Sequence, residues 1–414
     1  MNFKQSQEYL CGLKEKNVKF DLAQMQELTA LLGIRAEKIN AVHMTGSNGK
    51  GSTTAFVSSM LKEAGYRTGT YTSPHLASIT ERIKINGKNI SEKEFAKHIS
   101  LIAAVGKKMK EPPSYFEAIT ATAFAYFLEQ KTDFVAAEVG LGGRLDATNV
   151  LNGLVNVFTD ISLEHTNVLG PTIRHIATEK AHIIKQNSFT VISKKNAGYK
   201  TISEFAQKQN SAIVLPKFKK ISSNAQEQKF DLIEPFRLKN AKIKLIGEFQ
   251  LENAALAVGA VFCLQKKGYK IPTKAILRGL EKTFWPARLQ IVQKNPLLVV
   301  DSTHTPKGAL ALKSALGLFD FKKLVLVFSV LQDKDFKKIL DTIPFDDLIV
   351  TKVNYFRALS PKTIKKTFPQ AIIEKNMALA VKRAKKIAEK SGLILVTGSI
   401  YGAGEAMKAL KVKA

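Results

Sequence analysis

The stretch Ala41-Val42-His43-Met44-Thr45-Gly46-Ser47-Asn48-Gly49-Lys50-Gly51-Ser52 joins an apolar run to a segment of helical periodicity through a glycine-rich loop. Such a loop between a strand and a helix lets backbone N–H groups point at phosphate oxygens, and the helix dipole strengthens the attraction. Lys50 can balance phosphate charge, and Ser52 can reach a magnesium ion. The spacing is shorter than in the Walker pattern, because two residues rather than four separate Gly46 from Gly49-Lys50. The loop predicts a phosphate site, with a plain tight turn as the structural alternative.

A second polar segment follows an apolar run much later in the chain. Asp301-Ser302-Thr303-His304-Thr305-Pro306 comes directly after Pro296-Leu297-Leu298-Val299-Val300. This order predicts a polar cluster at the end of a strand in another domain. The two segments together predict an ATP bound between two domains and used to activate a carboxylate.

Strand-like and helix-like segments alternate along most of the chain, which predicts parallel β-α-β units with helices on both faces of the sheet. The fold class is therefore α/β, with a P-loop-containing parallel-sheet ATP-binding domain followed by a smaller Rossmann-like α/β domain. Strands near 324–328, 347–351 and 393–397 belong to the second domain, and alternation between about 212 and 245 predicts antiparallel strands. The boundary at 284–288 places the domains at 1–288 and 289–414.

Composition narrows the class of protein. With 414 residues, 45% of them hydrophobic and 24% charged, the chain has an ordinary globular composition and room for two domains. No apolar run reaches the roughly 18 residues of a membrane span, and the N-terminus has no apolar region typical of a secretory signal. Two cysteines, Cys11 and Cys263, predict free thiols in a reducing compartment. These observations lead us to expect a cytoplasmic monomer without a membrane partner.

The net charge of +28 raises a nucleic-acid hypothesis. The lysines are spread thinly, with short clusters such as Lys217-Lys219-Lys220. No aromatic-rich basic strand or known DNA-binding module accompanies them. We therefore expect a solvated basic surface and no nucleic-acid partner, and a nucleotide-dependent nucleic-acid-binding protein remains the alternative from another class.

Several further blocks carry a family resemblance. Together with the shortened glycine loop, they resemble folylpolyglutamate synthases and dihydrofolate synthases, the folate branch of the Mur ligase superfamily. The blocks occur in the family's order over nearly the whole chain. They are Tyr71-Thr72-Ser73-Pro74-His75-Leu76, Glu81-Arg82-Ile83-Lys84-Ile85-Asn86-Gly87, Glu138-Val139-Gly140-Leu141-Gly142-Gly143-Arg144-Leu145-Asp146-Ala147-Thr148-Asn149, Ile161-Ser162-Leu163-Glu164-His165, Glu179-Lys180-Ala181, Gln250-Leu251-Glu252-Asn253-Ala254-Ala255, Trp285-Pro286-Ala287-Arg288 and Val396-Thr397-Gly398-Ser399-Ile400-Tyr401.

Three positions depart from the family pattern. Thr305 stands where the family usually has Asn, Phe249 where it commonly has His, and His182 where it favours Gly. Asp301 and His304 keep the family's residues, so ATP binding is still expected.

The resemblance implies an ATP-dependent ligase that joins L-glutamate to dihydropteroate, to folate, or to both through an acyl phosphate. The small-molecule substrates are then pteroate or folate, L-glutamate and ATP, with Mg²⁺ as the metal. A cell-wall precursor Mur ligase is a second enzyme reading, because it shares the loop and the carboxylate chemistry. The blocks around Ser73 and Gly142 favour the folate branch.

For the metal, the resemblance implies Ser73, Glu138 and His165 as ligands. A carboxylate is the best magnesium ligand of the three, and a histidine is less usual, which indicates a second metal site. Lys180 is implied to be carbamylated to N6-carboxylysine, which requires a neutral amine and hence a lowered pKa. Taken alone, Lys180 reads as an ordinary helix lysine paired with a glutamate. Lys50, Lys180 and His165 are the candidate catalytic residues.

The remaining candidate residues bind nucleotide or substrate. Those implied for ATP are Asn48, Gly49, Lys50, Gly51, Ser52, Asn253, Arg288, Asp301 and His304. A flat heteroaromatic ring needs an apolar wall and a few polar groups, and the segments implied for pterin and folate are Phe20-Asp21-Leu22, Ser114-Tyr115-Phe116-Glu117 and Leu145-Asp146-Ala147. Taken alone, Phe116 is equally a core residue. Ser399 and Tyr401 are implied for the incoming glutamate.

Overall fold

A large sheet organises the first two thirds of the chain. The computed structural model describes residues 1–13 and 21–412, so Phe20 lies outside the described residues. The eight strands run in the order β4-β3-β2-β5-β1-β6-β7-β8 and are parallel except for β3 and β4 at one edge. Their bounds are β1 (Ala41–Thr45), β2 (Thr68–Tyr71), β3 (Ile83–Ile85), β4 (Lys88–Asn89), β5 (Phe134–Glu138), β6 (Gly153–Phe158), β7 (Phe189–Ile192) and β8 (Ala212–Val214).

Helices cover both faces of this sheet. In β5, Phe134 and Ala136 pack into one apolar cluster while Val135 and Ala137 pack into another, because successive side chains of a strand point to opposite faces. Burial on both faces explains why the central strands read as continuous apolar runs. The helices are α1 (Phe3–Leu13), α2 (Ala23–Leu31), α3 (Lys50–Glu63), α4 (Glu92–Gly106), α5 (Tyr115–Glu129), α6 (Thr166–Leu169), α7 (Ile173–Ala181), α8 (Tyr199–Lys208), α9 (Glu248–Lys266) and α10 (Thr273–Lys282), with 3₁₀ turns at Ala36–Lys38, Ile79–Arg82 and Ala147–Val150.

A small antiparallel sheet follows the large one. It contains β9 (Lys217–Ser223), β10 (Gln228–Glu234) and β11 (Leu238–Ile243), with β10 in the middle. The antiparallel strands predicted between about 212 and 245 are present from Lys217 onward. The three residues of β8 instead extend the large sheet in parallel with β7.

The second domain is a six-stranded sheet with the order β12-β13-β17-β14-β15-β16, parallel except for the β12–β13 pair. The predicted α/β class and the smaller second α/β domain are confirmed. The strands are β12 (Gln290–Gln293), β13 (Leu297–Val300), β14 (Leu324–Phe328), β15 (Asp347–Thr351), β16 (Ile372–Glu374) and β17 (Leu393–Thr397), and the helices are α11 (Pro306–Leu316), α12 (Phe336–Thr342), α13 (Pro361–Thr367), α14 (Met377–Ala388) and α15 (Ile400–Ala409). Within the described residues, no helix has the length and apolar character needed to cross a membrane.

Candidate active site

The two sheets face each other across one cleft with a cavity volume of about 590 Å³. The first domain contributes the glycine loop after β1 and the residues that follow β2, β5 and β6, all at the carboxyl ends of parallel strands. The second domain contributes the segments after β13 and β17. Ligands of open α/β sheets bind at this edge, outside the carboxyl ends of the strands. The cleft therefore brings together the two polar segments, residues 45–52 and 301–306, which are far apart in the chain.

The glycines of the loop are required by backbone geometry and close packing. Gly49 precedes α3 with φ +90°, and Gly46 has φ +152°. A Cβ on Gly49 would lie 2.3 Å from Oδ1 of Asn253, and one on Gly46 would lie 1.9 Å from Oγ1 of Thr159. Larger side chains would therefore push the loop away from both neighbours. The tight strand–loop–helix turn predicted from the sequence is present.

Lys50 folds back over this loop. Its Nζ donates hydrogen bonds to the carbonyl oxygens of Gly46 at 2.7 Å and Ser47 at 3.4 Å. The ammonium thus lies at the mouth of the loop, where an anionic phosphate would meet both its charge and the N-terminus of α3. This geometry agrees with the predicted phosphate site.

Asp160 holds the loop from the end of β6, and the sequence analysis did not identify it. Its carbonyl accepts from Ser47 N at 2.6 Å, and its Oδ2 accepts from Asn48 Nδ2 at 3.0 Å. Its Oδ1 pairs with Lys307 of the second domain at 2.5 Å. Asp160 comes two residues after β6 (Gly153–Phe158), so its position beyond the carboxyl end of an apolar run was the available signal.

Glu138 and Ser73 lie side by side at the cleft. Ser73 N donates a hydrogen bond to Oε2 of Glu138 at 3.1 Å. Burial raises the pKa of Glu138, while Lys50 and Arg288 counteract that rise. A buried carboxylate with spare oxygen lone pairs, near two cations and a phosphate loop, is a suitable ligand for a hard cation such as Mg²⁺. Glu138 and its surroundings therefore fit a magnesium site at this edge of the cleft.

His165 also lines the cleft. It adopts a left-handed backbone conformation (φ 46°) before the short helix α6. Burial lowers its pKa, and Lys334 and Lys50 add to this effect while Glu164 opposes it. A neutral imidazole is the form that can bind a metal ion.

Lys180 lies beneath the loop with 2% of its side chain exposed, and it pairs with Glu164. Its Nζ lies 3.0 Å from Oε1 of Glu164 and 3.1 Å from the carbonyl oxygen of Gly46. Burial lowers the pKa of Lys180 to about 8, with a smaller contribution from Lys50, although Glu164 raises it. Burial alone would raise the pKa of Glu164, but Lys50 and Lys180 together lower it to about 2. The pair is a buried ammonium–carboxylate contact, and Glu164 is a second residue whose role the sequence did not reveal.

Arg288 and the segment after β13 form the opposite wall. Asp301 is buried, and its two carboxylate oxygens accept from Leu289 N at 2.9 Å and Thr303 N at 2.8 Å. Burial lowers the pKa of His304 to about 4, and nearby cations including Arg288 contribute. The guanidinium of Arg288 therefore acts on groups of both domains, since it also lowers the pKa of Glu138.

Helix α9 connects the loop helix to this wall. Gln250 Nε2 donates to Ser52 Oγ at 3.2 Å, and Asn253 Nδ2 donates to Gln250 Oε1 at 3.0 Å. Phe249 lines the cleft and packs against the apolar core of the second domain. The predicted ATP residues Ser52 and Asn253 are thus brought together by one hydrogen-bonded chain.

Thr305 and His182, the other two positions that differ from the family pattern, make local contacts. Thr305 caps α11 by accepting from Gly308 N at 3.1 Å. His182 Nδ1–H donates to the carbonyl oxygen of Thr178 at 2.8 Å, and its ring lies 4.8 Å from that of Phe205. The side chains of Thr305 and His182 therefore both form hydrogen bonds within their own domains.

Ser399 and Tyr401 lie where α15 begins. Ser399 caps this helix by accepting from Gly402 N at 2.9 Å. The ring of Tyr401 stacks on that of Tyr355, with centroids 4.1 Å apart and planes 16° apart. Both residues line the cleft.

The segments predicted for pterin and folate lie in the first domain, and their described residues are outside the cleft lining. Ser114 and Glu117 form a capping box at the start of α5. Phe116 packs against Gly140, where an added Cβ would lie 2.4 Å from its ring. Asp146 accepts from Leu141 N at 2.9 Å and from Thr148 N at 3.0 Å.

The remaining residues of the predicted folate segments also make contacts within the first domain. Asp21 accepts from Ala23 N at 2.8 Å, and Leu22 precedes α2. Leu145 is half-buried, and Ala147 belongs to an apolar cluster of the first domain. The cleft thus collects the predicted nucleotide, metal and glutamate residues, whereas the predicted folate segments lie apart from it.

Comparison with known proteins identifies the class. The family model described as the Mur ligase middle domain matches residues 44–261, and that of the Mur ligase, glutamate ligase domain matches residues 287–400. The chain therefore belongs to the Mur ligase family.

Within that family, the chain is similar to folate-branch enzymes, which confirms the resemblance. It is 33% identical over 440 residues to the dihydrofolate synthase/folylpolyglutamate synthase of Bacillus subtilis, with 99% of each chain covered. The structure of Mycobacterium tuberculosis folylpolyglutamate synthase complexed with ADP and AMPPCP matches with a TM-score of 0.91 at 30% identity, covering 100% of both chains. The bifunctional folylpolyglutamate synthase/dihydrofolate synthase of Yersinia pestis complexed with AMPPNP and Mn ion matches with a TM-score of 0.89 at 27% identity, covering 100% of this chain and 98% of that one.

Proposed function

We propose that this chain is an ATP-dependent ligase that joins L-glutamate to dihydropteroate and to folate carboxylates through an acyl phosphate. The observation that carries this proposal is the cleft itself. The phosphate loop with Lys50 faces Arg288 at the domain junction and Asp301 of the second domain across a cavity of about 590 Å³. The similarity to enzymes with both synthase names supports the bifunctional form.

The reaction has two bond exchanges. A carboxylate oxygen of the folate attacks the γ-phosphorus of ATP, and the bond to the ADP oxygen breaks. The amine of glutamate then attacks the acyl carbon, the carbon–oxygen bond to phosphate breaks, and the amine proton is released. Because phosphoryl transfer depends mainly on positioning and charge, the protein's task is to align reactants and stabilise anionic oxygens. We assign Lys50 and the amides of Asn48, Gly49, Gly51 and Ser52 to the phosphates.

The second domain and α9 complete the nucleotide site in this proposal. Arg288 reaches phosphate oxygens from the junction, because its charge already acts on groups at both walls. Asn253 contacts the nucleotide beside the loop, and Asp301 and His304 contact it from the opposite wall. Asp301 has its oxygens partly engaged by two backbone amides, which fix its orientation.

Ser73, Glu138 and His165 would hold magnesium, and because histidine is an unusual ligand for this ion, we propose a second metal site. Magnesium supplies neutralisation of phosphate charge when it is bound. Glu138 would offer the ion a carboxylate in a fixed position, since Ser73 N restrains its Oε2.

Lys180 is proposed to become N6-carboxylysine. Its pKa of about 8 leaves part of the amine neutral near neutral pH, and a neutral amine can attack CO₂ to form a carbamate with loss of one proton. The contact with Glu164 opposes this step, because it stabilises the ammonium form. Carbamate formation therefore requires Glu164 to move away from Nζ of Lys180.

Substrate positions follow from the family resemblance. We propose that Ser399 and Tyr401 bind the incoming glutamate. The pterin and folate contacts are proposed for Phe20, Asp21, Leu22, Ser114, Tyr115, Phe116, Glu117, Leu145, Asp146 and Ala147. Because Ser114 and Glu117 cap the start of α5, they would act by holding this end of the helix in place.

The domain limits 1–288 and 289–414 are also a proposal, supported by family matches that end at 261 and begin at 287. We further propose a monomer acting in the cytoplasm. Two free cysteines suit a reducing compartment.

A coupled assay of ADP release tests the function. Purified protein is given ATP, magnesium and L-glutamate with dihydropteroate or with tetrahydrofolate, and the products are identified by mass. We expect one glutamate-sized mass increase with each acceptor. Activity only with a cell-wall precursor acceptor would contradict the folate assignment, and ADP release that requires DNA or RNA would support the nucleic-acid alternative.

A further inference from the structure

A buried hydrogen-bond chain runs from the middle of β1 to the turn that follows Glu138. His43 is fully buried in β1, and its Nε2 lies 2.8 Å from Oγ1 of Thr148. The hydroxyl of Thr148, also fully buried, donates to Oδ1 of Asp146 at 2.5 Å. Oδ2 of Asp146 in turn accepts from Leu141 N at 2.9 Å. Three side chains thus connect a strand of the large sheet to the backbone of the turn.

The protons of this chain are placed by counting donors and acceptors. Asp146 accepts from Leu141 N, from Thr148 N and from the Thr148 hydroxyl, which is the pattern of an ionised carboxylate. Thr148 has one hydroxyl proton and gives it to Asp146, so its oxygen accepts from His43. His43 is therefore the Nε2–H tautomer. Burial lowers the pKa of His43 to about 3, and Lys185 adds to this effect, so the ring is neutral near neutral pH.

The turn bound by Asp146 lies between the proposed magnesium ligand and the phosphate loop. It comes directly after Glu138, the last residue of β5. The same turn contacts the strand that leads to the phosphate loop, because the Gly142 carbonyl accepts from Thr45 Oγ1 at 2.9 Å. The orientation of one buried carboxylate therefore influences where Glu138 lies relative to the phosphate loop.

The unfavourable features of the chain indicate that it serves this turn. His43 takes the place of an apolar side chain in a central strand, and among the described residues its Nδ1 has no hydrogen-bond partner. A buried polar atom without a partner is unfavourable for folding. Burial raises the pKa of Asp146, and hydrogen bonds from Thr148 and from Leu141 N oppose that rise. The donors that begin at His43 thus keep the carboxylate ionised and in one orientation.

We propose that His43 and Thr148 are positioning residues of the ligase reaction, because they orient Asp146 and so hold the turn that places Glu138. The catalytic part of this inference rests on the proposed function, whereas the hydrogen-bond chain does not depend on it. His43 and Thr148 act through Asp146 and the turn, without contact to a substrate. A misplacement of about 1 Å caused far from the chemistry can lower a rate by about 10²-fold, so a small rotation of Asp146 is sufficient to affect turnover.

Two matched pairs of variants separate the hydrogen bonds from the shapes of the side chains. Thr148→Val removes the hydroxyl at nearly constant volume, and Thr148→Ser keeps it. His43→Leu removes the Nε2 donor, and His43→Gln keeps an N–H donor at a similar distance from the backbone. Should His43→Leu fail to fold, the Thr148 pair is sufficient for the test.

Hydrogen exchange of the segment 139–146, measured without nucleotide or metal, reports on the turn directly. We expect exchange to be about fivefold to tenfold faster in Thr148→Val and His43→Leu, because one hydrogen bond that holds the turn is lost. Thr148→Ser and His43→Gln, which keep the donors, should exchange within about twofold of wild type.

A magnesium titration of the ligase reaction measures the consequence for the site. Thr148→Val and His43→Leu should raise the magnesium concentration for half-maximal activity by about tenfold and lower kcat by about tenfold. KM for ATP at saturating magnesium should change by less than about twofold, and Thr148→Ser and His43→Gln should restore both altered values. The double variant Thr148→Val/His43→Leu should be no worse than Thr148→Val, because His43 acts only through the Thr148 hydroxyl.

Thr122→Val is the matched control. The Thr122 hydroxyl is also fully buried in the first domain, but it donates to the Ala118 carbonyl of its own helix at 2.8 Å. Thr122→Val should leave both the exchange of 139–146 and the magnesium titration unchanged.

Three results overturn the inference. They are wild-type exchange in Thr148→Val, additive losses in the double variant, and a wild-type magnesium titration in a Thr148→Val protein whose turn exchanges faster. The last result would confine the chain to a structural role. If the wild-type protein has no ligase activity with folate acceptors, the proposed function fails, and the exchange data alone decide whether the chain holds the turn.

Discussion

The substitution Glu164→Gln removes the counter-charge of a buried ammonium while keeping the side-chain volume. Glu164 has 16% of its side chain exposed, and its Oε1 lies 3.0 Å from Nζ of Lys180. Glutamine can still accept a hydrogen bond there, so the change isolates the charge. We expect a marked loss of stability at pH 6 that is much smaller at pH 9.5.

The magnitude follows from the pKa values. A fall in the pKa of Glu164 from 4.5 to about 2 corresponds to roughly 3 kcal/mol of stabilisation of the ionised carboxylate. This contribution is fully present above pH 4.5, and it is lost as the pH falls toward 2. Breaking a buried pair typically costs about 3–5 kcal/mol, since one charge is left without a partner. We therefore expect Glu164→Gln to lower the free energy of unfolding by about 3 kcal/mol at pH 6.

The pH dependence has a definite sign. The pKa of Lys180 is lowered from 10.5 to about 8 in the folded protein, so burial of the ammonium destabilises the fold below pH 8, and stability recovers as the pH rises from 8 to 10.5. Removing Glu164 lowers this pKa further, because the carboxylate is the group that raises it. At pH 9.5 the folded amine of Lys180 is neutral in both proteins, and the remaining loss is that of one hydrogen bond, about 1 kcal/mol, together with the attraction between Glu164 and Lys50.

Urea denaturation of wild type and Glu164→Gln at pH 6 and pH 9.5 measures both losses. Glu234→Gln is the control, because its pair with Lys217 at 2.7 Å is half-exposed, and it should cost less than about 1 kcal/mol at either pH. The double variant Glu164→Gln/Lys180→Met, which carries neither charge, should regain most of the stability at pH 6. The reasoning is refuted by an equal loss at both pH values, or by a double variant as unstable as the single one.

Three further predictions concern activity. Lys50→Ala should lower turnover by about 10²–10³ in a folded protein, because a phosphate-stabilising cation is lost; near-normal turnover at saturating ATP would exclude that role. Glu138→Gln should raise the magnesium concentration needed for half-maximal activity, because the amide lacks the charge that a hard cation requires; an unchanged magnesium titration would exclude Glu138 as a ligand. Lys180→Ala should be nearly inactive and partly restored by concentrated acetate or bicarbonate, and Lys180→Arg should fail equally, since a carbamate supplies an anion; full activity of the arginine variant would contradict the carbamate.

Local patterns in the sequence determined the elements of the fold. The strands predicted near 324–328, 347–351 and 393–397 coincide with β14, β15 and β17. These strands are buried on both faces, so their apolar runs are continuous and easily recognised. The short strand β8 was assigned to the wrong sheet, because three residues carry no information about which partner they will join.

The glycine loop was also readable from the chain. Its glycines satisfy local needs, a left-handed turn at Gly49 and close approach at Gly46, and both requirements act within a strand–loop–helix unit. The motif blocks then indicated which distant residues share its cleft. Residue types and order were therefore sufficient for the family, and the nucleotide residues that they indicate line one cleft.

Tertiary structure alone decided the partners of the charged groups. Asp160 links the loop to Lys307, and Glu164 reaches Lys180 from a separate segment. Tyr355 stacks on Tyr401 only because β15 and β17 end at the same edge of the second sheet. The physical reason is that ion pairs and ring contacts depend on distances of a few ångströms between segments far apart in sequence. The chain order determines the strands that carry such groups, and only their packing determines which charges are buried together.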